Sequence, residues 1–175
     1  MATKQLHYTT SLLSLLFSLA FIAFASSSEA SGEAEKKLLE SAVEGVIYCQ
    51  SCAHVGTSSL IDAKPMRSAK VGVACKDYRG RVSFYKSFET DPNGYFYAPL
   101  DGHKTEHVFL DHPLQSCTVH LLSSTETSCN VPSNLNSGLV GSPLRYEKKR
   151  LFREELYAAG PLAFRPSNCP AANRE

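Results

Sequence analysis

From Gly45 onward, apolar and polar residues alternate with the period of strands rather than of helices. In "AKVGVACK", Val71, Val73 and Cys75 fall on one face, and in "SCTVHLLS", Cys117, Val119 and Leu121 oppose Thr118 and His120. The stretches "RVSFYKSF", "GYFYAPL", "EHVFLD" and "KRLFREELYAAGPLAF" add β-branched and aromatic runs. Asp91-Pro92-Asn93-Gly94 suits a type I turn, because Asp opens it, Pro presets φ and Gly closes it. Residues 130–143, "NVPSNLNSGLVGSP", read as a loop. Pro161 and Pro166 have no N–H for a ladder, which predicts an edge strand or an extended tail there. Short strands without a long amphipathic helix predict an all-β fold, an antiparallel β-sandwich or a closed barrel of about seven strands.

The pattern changes before Gly45. Residues 1–25 read as a secretory signal peptide: Lys4 is followed by an apolar run, Leu12 to Phe24, and by the small-x-small pattern Ala23-Phe24-Ala25. That run is too short to span a bilayer, which needs about 20 residues. The rest of the chain is therefore expected to be exported, with no membrane segment once the signal is removed. Residues 26–44 form a polar lead-in with Glu29, Glu33, Glu35, Glu40 and Glu44 against Lys36 and Lys37. Within it "AEKKLLESAVE" predicts a short helix with Leu38, Leu39, Ala42 and Val43 on one side. The main domain is then residues 45–175.

Export changes what cysteine means, since thiols outside the cytosol oxidise. The chain has 6 cysteines: Cys49, Cys52, Cys75, Cys117, Cys129 and Cys169. The even count predicts three bridges, with the connectivity open. Cys49 and Cys52 sit three apart in a stretch that reads as a strand. Their Cα atoms would be about 10 Å apart at the strand rise, beyond the roughly 7 Å a bridge allows. They are expected to have different, distant partners. A zinc site would need a second closely spaced pair, and the other four cysteines are solitary.

Charge and motifs narrow the function classes. Lys plus Arg number 18 and Asp plus Glu 17, a balance that does not suggest a nucleic-acid binder. "DGHKTEHVFLDH" gathers Asp101, His103, His107, Asp111 and His112. On a strand His103 and His107 would lie about 13 Å apart, too far for one metal, so a solvated loop is expected. There is no Gly-x-Ser-x-Gly elbow, paired cysteines supply no nucleophile, and no acid/base pair stands out. No enzyme activity, metal or cofactor is expected.

The motifs "GVIYCQSC", "AKVGVACKD", "FETDPNGYF", "CTVHLLSS" and "CNVP", with the late Cys169, occur in this order between Gly45 and Pro170. In these residues the chain resembles the olive-pollen major allergen family, also called Pollen Ole e 1/extensin-like. The resemblance implies an Ig-like or transthyretin-like, disulfide-stapled β domain, and bridges Cys49–Cys129, Cys52–Cys169 and Cys75–Cys117. It also implies an exported plant protein without an established enzyme function. Related domains end proline-rich and arabinogalactan-type cell-wall proteins, but their Pro-, Lys- or His-rich N-terminal region is absent here, as is any Asn-x-Ser/Thr sequon.

In a wall protein the basic strip Arg145, Lys148, Lys149, Arg150 and Arg153, around Tyr146 and Phe152, would attract polyanionic pectin in a salt-dependent way. Tyr78, Tyr85, Tyr95 and Tyr97 are candidates to stack on sugars, although the chain has no Trp. The expected role is a secreted, non-enzymatic protein of the extracellular space or cell wall. Its expected partner is a wall polysaccharide of pectin or arabinogalactan type, or a wall glycoprotein. The alternative is a secreted ligand or modulator of a cell-surface receptor or enzyme.

Overall fold

The computed structural model describes residues 40–104, 106–151 and 154–169. The expected signal segment and residues 26–39 lie outside the described residues. The strands are β1 (Glu40–Cys49), β2 (Lys64–Pro65), β3 (Lys70–Lys76), β4 (Val82–Glu89), β5 (Tyr95–Pro99), β6 (Cys117–Ser123), β7 (Val131–Pro132), β8 (Ser142–Pro143), β9 (Arg145–Leu151) and β10 (Glu154–Arg165). They make a 6-stranded sheet and a 4-stranded sheet. The fold is therefore a sandwich, with more strands than the alternation suggests because β2, β7 and β8 are only two residues long.

The larger sheet is built around β1 and β10, which run parallel, whereas the alternation suggests a wholly antiparallel fold. A parallel pair needs a long connection. Here the first and last strands pair, so nearly the whole domain serves as that connection. Strands β5 and β2 follow one another along the free edge of β1, and β9 and β7 along that of β10. The smaller sheet runs β4-β3-β6-β8 and is antiparallel.

The two sheets bury the faces that the alternation marks. Val71, Val73, Cys75, Cys117, Val119 and Leu121 come from the smaller sheet. Val43, Ile47, Phe96, Tyr157, Leu162 and Phe164 come from the larger. Burial of this apolar surface is the main stabilising term.

Residues 40–44 correct the expected lead-in. They are strand, not helix: Ala42 and Val43 are fully buried and pair with Pro99 and Ala98 of β5 and with Leu156 and Tyr157 of β10. Pairing on both edges outweighs a weak local helical periodicity. "EHVFLD" is turn rather than strand, and Val108 and Phe109 are 86% and 65% exposed. Residues 130–143 are mostly loop but contain β7, β8 and a 3-10 turn, Leu135–Ser137.

Pro161 also departs from expectation, because it lies inside β10 rather than on an edge strand. The β1–β10 register runs Gly45↔Ala159 and then Ile47↔Leu162, so Gly160 and Pro161 form a bulge opposite Val46. A bulge is where a strand tolerates proline. Side chains take up the carbonyls it frees: Arg145 Nη1 donates to Gly160 O at 2.6 Å and Asn136 Nδ2 to Pro161 O at 2.7 Å.

The Asp91–Gly94 turn forms as expected. Gly94 N–H donates to Asp91 O, and Asp91 Oδ1 accepts from the N–H groups of Asn93 and Tyr95. Gly94 has φ of 73°, and a Cβ there would sit 2.5 Å from Ile47 O, so glycine is required twice over.

Candidate functional site

The bridges are Cys49–Cys129, Cys52–Cys169 and Cys75–Cys117, the pairs the resemblance implies. Cys49 and Cys52 do have distant partners, although the strand ends at Cys49 and a 3-10 turn, Cys52–His54, begins at Cys52. Cys75 and Cys117 are register neighbours on β3 and β6, so their bridge lies within one sheet and does not span the sandwich. Because all six sulfurs are bonded in pairs, no thiolate is present to attack or to ligate.

His103 illustrates the point. It comes within 4.8 Å of the sulfurs of Cys75 and Cys117, a grouping with metal-site spacing. The two sulfurs are bonded to each other, so the thiolate donors such a site needs are missing.

The loop carrying His103 is largely exposed, as expected, and is anchored from within by the buried Asp111. Asp111, 1% exposed, accepts the His107 N–H through Oδ2 at 2.6 Å. Its carbonyl accepts from His103 Nε2 at 2.9 Å and from the Ser116 hydroxyl at 3.0 Å. Replacing Asp111 with Ala leaves the His107 N–H without its partner. The expected loss is about 1–3 kcal/mol. It is read as a lower urea midpoint together with faster amide exchange at His107 and Leu110. Wild-type exchange at both amides would contradict the role given to Asp111.

The outer face of the larger sheet carries the residues best suited to hold a ligand. Along β1, Glu44, Val46 and Tyr48 point away from the core that Val43 and Ile47 enter. Across the strands the register sets Tyr97, Glu44, Ala158 and Arg145 in one row. An open cleft of about 340 Å³ follows, lined by Glu44, Val46, Tyr48, Tyr95, Arg145 and Glu147 among others. Tyr95 donates to Glu44 Oε2 at 2.8 Å. Arg145, besides its bond to Gly160 O, lies 3.8 Å from Glu147, an exposed pair worth little in stability.

Burial, then the hydrogen bond to Glu44, push the Tyr95 hydroxyl up to about 12. The folded value lies above the ordinary value near 10, so the protonated hydroxyl stabilises the fold fully below pH 10. That contribution is lost as the pH rises toward 12. In an ultraviolet ionisation titration, Tyr95→Phe is expected to remove a late-titrating phenol. Unchanged high-pH absorbance on that substitution would refute the assignment.

The candidates named by the sequence are thus sorted. Tyr95 and Arg145 come together in the cleft, with Tyr97 beside Glu44 in register. Tyr146, next along β9, points the other way onto the buried Tyr157, with ring centroids 5.9 Å apart. Consecutive strand positions alternate in face, so Arg145 and Tyr146 belong to no common strip. The side chains of Lys148, Lys149 and Arg150, and all of Arg153, lie outside the described residues. Tyr78 is on the β3–β4 turn under the Arg79 guanidinium, and Tyr85 is on the outer face of the other sheet. Glu44, Tyr48 and Glu147 were missed. The Glu44-x-Val46-x-Tyr48 alternation was the available signal for the first two, obscured by reading residues 26–44 as a separate segment.

No family model matches the chain. It is 35% identical over 137 residues to "Non-classical arabinogalactan protein 30" of Arabidopsis thaliana, covering 74% of this chain and 54% of that protein. It is 27% identical to "Olee1-like protein" of Betula pendula, covering 72% of this chain and 81% of the relative. The crystal structure of the major plantain pollen allergen Pla l 1 superposes with a TM-score of 0.56 at 25% identity, covering 76% of this chain and 98% of that one. The chain therefore spans about half the length of the arabinogalactan relative and most of the birch protein. These relatives carry the names of structural or allergen-type proteins rather than of a reaction. No helix among the described residues is long and apolar enough to cross a membrane. In sequence, in its two-sheet fold and in its three bridges the chain is thus similar to the Ole e 1-like, extensin-like and arabinogalactan-type proteins of plants.

Proposed function

We propose that the chain is a secreted, non-enzymatic protein of the plant cell wall that binds a hydroxyl-rich wall glycan of arabinogalactan type on the outer face of its larger sheet. The observation that carries this reading is the cleft in which Tyr48 and Tyr95 stand with Glu44, Glu147 and Arg145. Tyrosine rings stack on the apolar faces of sugars, and carboxylates accept hydrogen bonds from hydroxyls. The single guanidinium is already engaged by Gly160 O and faces Glu147, so the cleft offers a polyanion such as pectin no net positive charge.

The test is binding of neutral arabinogalactan by the oxidised chain. Tyr95→Ala and Tyr48→Ala are each expected to weaken binding about 5-fold, the loss of one aromatic contact of about 1 kcal/mol. Tyr95→Phe keeps the ring and should bind nearly as the wild type. Alanine variants that fold and bind normally would refute this use of the cleft. The alternative, a ligand of a cell-surface protein, has one observation in its favour: the exposed apolar tip Val108-Phe109-Leu110. Phe109→Ser would then abolish capture of the receptor and leave glycan binding unchanged.

A further inference from the structure

A second cleft, of about 370 Å³, opens between the segment Gln50 to Ser58 and the turn Ser133 to Asn136, and none of its lining residues is charged. Both walls are built. On one side Gln50, 1% exposed, sends Nε2 to the carbonyls of His54, Thr57 and Ser59 at 2.8, 3.1 and 2.9 Å, which fixes the loop around it. On the other, the Ser133 hydroxyl donates to Ala163 O at 2.7 Å and Leu135 is buried beneath the turn. Asn136 and Ser137 both adopt positive φ, 48° and 64°, a conformation that asparagine tolerates and serine takes less readily.

The two asparagines are each held by one end of the amide. Asn134 Oδ1 accepts the Leu139 N–H at 3.2 Å, and Asn136 Nδ2 donates to Pro161 O at 2.7 Å. Because an N–H only donates and a carbonyl only accepts, these partners also settle which way each amide points. The remaining ends are complementary. Among the described residues, Asn134 has its Nδ2 donors to spare and Asn136 its Oδ1 acceptor, two positions apart on one turn. Adjacent sugar hydroxyls match that pair, one accepting from Asn134 and the next donating to Asn136. The lining offers a uronate carboxylate no cationic partner.

We infer that this cleft is a second sugar subsite that takes a neutral glycosyl unit by a vicinal pair of hydroxyls, joined to the first cleft across the Gly160–Pro161 bulge. Pro161 lines the first cleft and its carbonyl holds Asn136 of the second. One oligosaccharide would lie over both. The inference rests on the glycan-binding reading, but its residues are separate from those of the first cleft.

The test is a titration of the isotope-labelled oxidised chain with neutral galacto-oligosaccharides from disaccharide to hexasaccharide, followed by backbone amide shifts. The hexasaccharide is expected to move Ser58, Asn134 and Asn136 together with Glu44, Val46 and Tyr95. Asn134→Asp keeps the acceptor for Leu139 and removes the donor, so it should leave the melting temperature unchanged and weaken the hexasaccharide about 5-fold, as loss of one hydrogen bond implies. Shifts confined to Glu44, Val46 and Tyr95, or full binding by Asn134→Asp, would overturn the subsite and leave the first cleft standing. Shifts confined to Ser58, Asn134 and Asn136 would support the subsite and overturn the first cleft. No shifts at either would overturn both.

Discussion

On reduction the domain is expected to lose its cooperative thermal transition at ordinary temperatures. The Cys49–Cys129 and Cys52–Cys169 bridges span 80 and 117 residues and both sit at the same end of the parallel β1–β10 pair. That pair joins the first strand of the domain to the last, so its formation closes the longest loop in the fold and is entropically the least favourable pairing. The two bridges make the closure permanent in the unfolded chain. Chain-entropy reasoning assigns them roughly 4.5 and 5 kcal/mol, and the shorter Cys75–Cys117 loop about 4 kcal/mol. A domain of this size is stable by only about 5–15 kcal/mol in all. Loss of the two long bridges therefore removes most or all of the net stability, while loss of Cys75–Cys117 alone, between strands already paired, should be survivable. Calorimetry of the oxidised and the reduced chain reads this directly. A reduced sample melting at the oxidised temperature would show that the bridges are incidental.

Phe96→Ala is expected to destabilise the oxidised domain by about 3–5 kcal/mol, the range for deleting a buried ring. The ring of Phe96, 1% exposed, occupies the space left by the missing side chain of Gly45. A Cβ on Gly45 would lie 2.6 Å from Phe96 Cε1 and 2.7 Å from Ala159 O. Gly45 is thus the point where β5 and β10 press against β1 from either side, directly before the bulge in β10. Gly45→Ala should itself lose about 1–3 kcal/mol by overpacking. The double variant should lose less than the two losses added, because deleting the ring relieves one of the two close contacts. Urea unfolding of the four proteins forms the cycle. Strict additivity would contradict the account of why glycine stands at position 45.

The sequence made the core faces legible because strand alternation survives wherever one face is buried. Val71, Val73 and Cys75 on β3 and Cys117, Val119 and Leu121 on β6 are buried as their spacing implies. The Asp91–Gly94 turn was equally plain, since its chemistry is local. What the sequence did not carry was long-range pairing. Residues 40–44 have a weak helical rhythm and become strand only because β5 and β10 flank them. Nothing local marks β1 and β10 as parallel, or Gly160–Pro161 as a bulge capped by Arg145 and Asn136.

The site was half legible for the same reason. Tyr95, Tyr97 and Arg145 stand out by type, but a contiguous charged run suggests Arg145 and Tyr146 as neighbours on one surface. The register places Arg145 beside Ala158 and Tyr146 opposite Tyr157. Glu44 and Tyr48 joined the cleft only once β1 was known to begin at Glu40.

The most direct measurement of the central claim is a glycan-array screen of the oxidised chain at low and high ionic strength. The two clefts are net acidic and neutral in lining, so capture of neutral arabinogalactan-type glycans is expected, with little change between the two salts. Capture of polygalacturonate alone, strong at low salt and lost at high salt, would contradict it.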